Sequence, residues 1–121
     1  MSLILIAAMI MIAATGCTKG NTVGSGSKQF TFTVVDKEKS ETTFTVKSDK
    51  QTVGEALLDE KLIEGEESQY GLYVTKVNGI EAIYENDGTY WAFYINDEYA
   101  MTGVDSTDIV DGAKYSFKVE S

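Results

Sequence analysis

The sequence contains no histidine, no arginine and one cysteine. Histidine is the usual general base near neutral pH, so its absence excludes serine–histidine and cysteine–histidine catalysis. Structural zinc sites, which need several histidine or cysteine ligands, are excluded with it. Arginine supplies the planar fork that anchors phosphate and carboxylate, and every side-chain cation here is a lysine. Positive charge is scarce altogether: 10 lysines stand against 19 carboxylates, a net charge of −9. Nucleic acid binding needs cations that displace counterions from phosphate, and this surface would repel it. The single cysteine, Cys17, cannot form an internal disulfide.

What is present begins with an apolar run. Residues 3–14 read Leu-Ile-Leu-Ile-Ala-Ala-Met-Ile-Met-Ile-Ala-Ala. A membrane-spanning helix needs about 20 apolar residues, so this shorter stretch suits the core of a signal peptide. Ala14-Thr15-Gly16-Cys17 follows, with small residues ahead of a thiol that can accept a diacylglyceryl group. It resembles a bacterial lipobox, although leucine is usual where Ala14 stands. No lysine or arginine precedes the apolar core, and the expectation from this is a start upstream or a trimmed copy. The expected arrangement is a signal peptide over 1–16, then a lipidated cysteine and flexible tether over 17–29. Two acyl chains give stable anchoring, which places the protein on the cell membrane with its domain facing the exterior. Glycine and small polar residues make the tether a flexible coil with a mean reach of roughly 18 Å.

Residues 30–121 are enough for one domain. Phe30 to Asp36 and Thr42 to Lys47 alternate apolar and polar residues, which predicts a hairpin. Thr52-Val53-Gly54-Glu55 matches a helix capping box, and the apolar residues after it predict a short helix to about Leu62. Glu64, Glu66 and Glu67 read as an acidic loop. Leu72 to Val77 is a strand, with Asn78-Gly79 a strong turn signal and Ile80 to Ile83 a short paired strand. Asn86-Asp87-Gly88 reads as a turn. Tyr90 to Ile95 is the most aromatic strand, and Asn96-Asp97 turns it into Glu98 to Met101. A loop from Gly103 to Gly112 leads to a last strand, Lys114 to Val119. The fold class is α+β: a β-grasp-like mixed sheet of hairpins, with one short covering helix and with the first and last strands parallel neighbours.

The set Thr52-Val53-Gly54-Glu55-Ala56-Leu57-Leu58, Gly71-Leu72-Tyr73-Val74, Val77-Asn78-Gly79-Ile80, Tyr90-Trp91-Ala92-Phe93-Tyr94-Ile95-Asn96, Gly103-Val104 and Val110-Asp111-Gly112-Ala113 resembles a family of uncharacterised bacterial lipoproteins. Their domain is similar to the C-terminal β-domain of transcobalamin and intrinsic factor. The resemblance covers roughly Phe30 to Val119. It implies a domain that helps to close over cobalamin, without the larger helical partner domain of the animal carriers. Asn96-Asp97 stands where asparagine-glycine is usual, and Ala113 stands where a second acidic residue often follows the glycine.

The leading functional expectation is a binding module, not an enzyme, for a corrinoid or other bulky solute. Both faces of the Tyr90–Ile95 strand carry aromatics, whereas one helix covers only one face. Some rings should therefore be exposed among Tyr90, Trp91, Tyr94 and Tyr99, as binding surfaces often are. Trp91, Tyr94, Asn96 and Asn78 are the candidate ligand-binding residues. No cofactor is required; cobalamin is the candidate ligand. An alternative is a protein-interaction or adhesion domain that serves a surface complex or a transporter subunit. Another is calcium held by the oxygens of Asp105, Asp108 and Asp111, although their spacing misses the calcium-loop pattern. Turn formation accounts for those aspartates without a metal.

Overall fold

The computed structural model of the protein describes residues 21–121. Cys17, the signal peptide and the start of the tether lie outside these residues. The described chain forms β1 (Thr22–Gly24), β2 (Lys28–Val35), β3 (Glu41–Ser48), α1 (Val53–Asp59), β4 (Ile63–Ser68), β5 (Gly71–Val77), β6 (Ile80–Glu81), α2 (Tyr84–Asp87), β7 (Tyr90–Ile95), β8 (Glu98–Tyr99) and β9 (Lys114–Glu120). A 3₁₀ turn, Val104–Ser106, lies between β8 and β9.

Two sheets result. The larger has the order β1-β3-β2-β9-β7-β8, and the smaller has the order β4-β5-β6. Strands β2 and β3 form the expected hairpin, with Phe32 opposite Phe44. Strand β9 returns beside β2 in parallel, with Phe32 opposite Tyr115 and Val34 opposite Phe117. A parallel neighbour cannot be reached by a tight turn, so the chain between β2 and β9 must cross over. That crossover contains α1 and the small sheet, and both cover one face of the large sheet. The first and last strands of the predicted β-grasp are thus parallel neighbours.

Alternation decides what is buried. Phe30, Phe32 and Val34 of β2, Tyr115, Phe117 and Val119 of β9, and Trp91 and Phe93 of β7 all point to the covered face and are buried. Their rings interlock: Phe30 meets Tyr115 edge-on at 5.3 Å, and Phe93 meets Phe117 at 5.1 Å between centroids. Helix α1 lays Val53, Ala56 and Leu57 against this layer. The helix starts as its sequence requires. The Glu55 N–H donates to Thr52 Oγ1, and the Thr52 N–H donates to Glu55 Oε1, both at 3.2 Å.

Three differences from the sequence reading have local causes. Thr22–Gly24, placed in the tether, is a strand parallel to Thr45–Lys47 of β3. Asn21 is already tied down, because its carbonyl accepts from the Thr45 N–H at 2.8 Å. Glu64, Glu66 and Glu67, expected in a loop, belong to β4, which pairs with β5. Their side chains all face water, so β4 shows no apolar alternation to read. Helix α1 ends at Asp59, short of Leu62, because Lys61 has a left-handed φ of 61° and turns the chain toward β4.

Candidate functional site

A cleft of about 180 Å³ opens between the two sheets. One wall is β5 at Leu72, Tyr73 and Val74, another is β7 from Tyr90 to Phe93, and a third is the stretch from Tyr99 to Val104. The cleft exists because β8 is so short. Ala100 N–H donates to Phe93 O at 3.0 Å, and past that point the chain leaves the β7 edge. In an antiparallel ladder, alternate residues send their backbone groups to the same side. The Trp91 backbone therefore points to the edge that β8 leaves free.

No charged side chain lines the cleft, although 24% of the sequence is charged. Tyr73 and Tyr99 border it with substantial exposure, 39% and 62%, the Tyr99 ring also packing edge-on against Tyr94 at 5.8 Å. Trp91 forms part of the inner wall and is buried, and its Nε1–H donates to the Ile80 carbonyl at 3.1 Å. That bond joins the large sheet to the small one and satisfies the indole, as a buried tryptophan requires. A tyrosine rim over an apolar interior can hold an uncharged group and still offer hydroxyls and backbone to its polar edges.

The four candidate ligand residues do not converge. Only Trp91 borders the cleft. Tyr94 lies on the opposite face of the sheet, where its hydroxyl donates to Glu120 Oε2 at 2.8 Å and Lys118 Nζ sits 4.5 Å over its ring. The Glu120 bond, followed by burial and the negative charge of Glu120, raises the Tyr94 pKa above its ordinary value. Asn78 and Asn96 are turn residues with φ of 51° and 50°. With Gly79 at 80° and Asp97 at 71°, each supplies the two positive φ values that a tight hairpin turn needs. Asp97 replaces the usual glycine and forms an ion pair with Lys114 at 2.9 Å. Asn96 Oδ1 also accepts from the Lys114 N–H at 3.0 Å.

The three aspartates face separate tasks. Asp111 Oδ1 accepts from the Gln29 N–H at 2.7 Å, and Asp105 Oδ2 from the Leu72 N–H at 3.1 Å. At Asp108 it is the backbone carbonyl that accepts, from Tyr115 Oη at 3.2 Å. Among the described residues, no three acidic, histidine or cysteine side chains gather where they could hold a metal ion. Sequence reasoning missed Leu72, Tyr73 and the Thr102–Val104 wall. No stretch of the sequence signalled the cleft, because its walls come from three separate parts of the chain.

The parallel β2–β9 pair, the covering helix and the second sheet define an α+β domain of β-grasp type. The chain belongs to the family of the domain of unknown function DUF4430, whose model matches residues 50–121. No curated protein matches the sequence. Among solved structures, it is similar to a suspected metal-binding protein from Ruminococcus gnavus, with 28% identity and a TM-score of 0.74. That match covers 78% of this chain and 98% of the other. The fold is also that of a region of haptocorrin, solved in complex with Cbi, with 23% identity and a TM-score of 0.58. There the match covers 82% of this chain but only 26% of haptocorrin.

Proposed function

We propose that the chain is a lipid-anchored, extracellular binding module without catalytic activity, and that its ligand enters the cleft between β5 and β7. The observation that carries this reading is an uncharged, tyrosine-rimmed cleft in a protein of net charge −9. The fold shared with haptocorrin, a protein seen with Cbi, makes a corrinoid the first ligand to test. Size limits what the cleft can do. Sites that enclose a drug-sized ligand run to about 300–1,000 Å³. A cleft of about 180 Å³ grips one edge or substituent of a bulky solute and leaves the rest outside. Capture is then weak, with a dissociation constant in the micromolar range or above, unless a second protein closes over the solute. That second protein would be a transporter or another surface component.

Titration of the full chain with cyanocobalamin tests the reading. Tryptophan emission should be quenched, because Trp91 is the only tryptophan and borders the cleft. Shifts in NMR spectra should centre on Leu72, Tyr73 and Trp91. No change up to about 1 mM would reject the corrinoid, and shifts confined to the Tyr94 face would reject the cleft.

A further inference from the structure

The wall of the cleft from Thr102 to Val104 is packed into the core through Val104, and one carboxylate beside it makes the hydrogen bond to the opposite wall. Asp105 sits in the 3₁₀ turn next to that wall, and its Oδ2 accepts from the N–H of Leu72 on β5. Among the described residues this is the one hydrogen bond from residues 101–106 to another part of the chain; the others close within the loop, onto Gly103 O, Val104 O and Thr107 Oγ1. The far end of the loop is secured separately, by the Val53 N–H donating to Thr107 O at 2.8 Å.

The surroundings of Asp105 are cut to fit it. A Cβ at Gly71 would lie 3.0 Å from its Oδ1, and one at Gly103 would lie 3.1 Å from it. A Cβ at Gly54 would lie 2.8 Å from its Cα. Gly71 and Gly103 thus leave room for the carboxylate and Gly54 for the backbone that carries it, and a side chain at Gly54 or Gly71 would displace it. Yet Oδ1 is buried and has no hydrogen-bond partner. A carboxylate makes stronger hydrogen bonds than a neutral acceptor. An orphaned oxygen carries a desolvation cost that works against this gain. The net grip is a small difference between the two.

We propose that Asp105 is a releasable latch that sets the width of the cleft. With Asp105 seated, the Thr102–Val104 wall is fixed against β5. When it leaves, the wall turns about the buried Val104 side chain and the cleft loosens its grip on the ligand edge that it holds when closed. Asp105 is a positioning residue, since it does not line the cleft itself. Its functional meaning rests on the cleft being the binding site; its mechanical role does not.

Residue-resolved hydrogen exchange on the full chain and two variants tests the latch. In Asp105→Ala, the Leu72 amide should exchange at least tenfold faster, with Gly103 and Val104 following, while Phe32 and Phe117 stay within twofold. Asp105→Asn keeps an oxygen in place and should hold Leu72 within threefold of the parent. The latch is overturned if Leu72 in the alanine variant stays within twofold. It is also overturned if core and loop accelerate together, or if the asparagine variant fails to protect Leu72. Cyanocobalamin titration of the same variants gives a separate arm. Weakening of at least fivefold in Asp105→Ala, with recovery in Asp105→Asn, ties the latch to binding. If the parent chain binds nothing, the corrinoid reading fails while the exchange result still decides the latch.

Discussion

At the scale of single residues, the aromatic strand β7 divides its side chains between two environments. Trp91 and Phe93 enter the core, whereas Tyr94 lies on the open face beneath Lys118 and bonds Glu120. A tyrosine that donates to a carboxylate holds its proton more tightly, and the pKa of Tyr94 is raised from 10.0. Such a group adds stability that is complete below the ordinary tyrosine pKa and is lost as pH rises through the higher folded value. We expect Tyr94 to titrate above the ordinary tyrosine value of 10.0 in an NMR pH series. Glu120→Gln should return Tyr94 toward the ordinary value and remove its share of the alkaline stability profile. If Tyr94 titrates at the ordinary tyrosine value in the parent chain, the Glu120 bond does not form in solution.

At the scale of elements, α1 is seven residues long, too short to persist in isolation, so its ends and its buried face decide whether it forms. Thr52→Ala removes the cap oxygen that accepts from Glu55 and should lower unfolding stability by about 1 kcal/mol. Denaturant titration measures it, and a change below about 0.3 kcal/mol would show that packing of Leu57 and Ala56 alone sets the helix start. This element was legible in the sequence because a capping box is a local pattern. The same holds for β2, β3, β5, β7 and β9, where one face meets a core and the other meets water or a tyrosine layer. Strand β4 was not legible: Glu64, Glu66 and Glu67 carry no apolar rhythm, and charge on an edge strand serves to discourage pairing with other chains. Strand β1 was hidden for another reason. It has three residues, one of them glycine, and exists only because the β3 edge is there to receive it. The cleft could not be read at all, since its walls become neighbours only after β5 and β7 have been brought together by the crossover. Trp91 was picked out as an aromatic on a strand, whereas Asn78 and Asn96 were picked out at positions whose positive φ already explains them.

At the scale of the molecule, charge is unevenly shared. From Glu55 to Glu67, six carboxylates stand with one lysine, Lys61, on the layer formed by α1 and β4. The cleft itself is free of charge. An acidic layer beside a neutral cleft disfavours anionic ligands before contact, in a manner that salt weakens. No helix of the described residues is long and apolar enough to cross a membrane. The proposed attachment is through Cys17, which lies outside the described residues. Cys17→Ser should move the protein from the membrane fraction to the medium, or leave it unprocessed with residues 1–16 attached. An unchanged membrane fraction would remove the lipid anchor from the proposal.

The bond between Asn21 and β3 bears on how such an anchor would work. Only three residues, Thr18 to Gly20, separate Cys17 from Asn21. At the full extension of a peptide chain, the leash reaches roughly 14 Å. A body so moored could not roam above the headgroups; it would ride against them with its β1 margin lowermost. Strand β7 is four places along the sheet from β1, about 19 Å at the usual strand spacing. The opening would thus stand at the side farthest from the mooring, where solutes arrive.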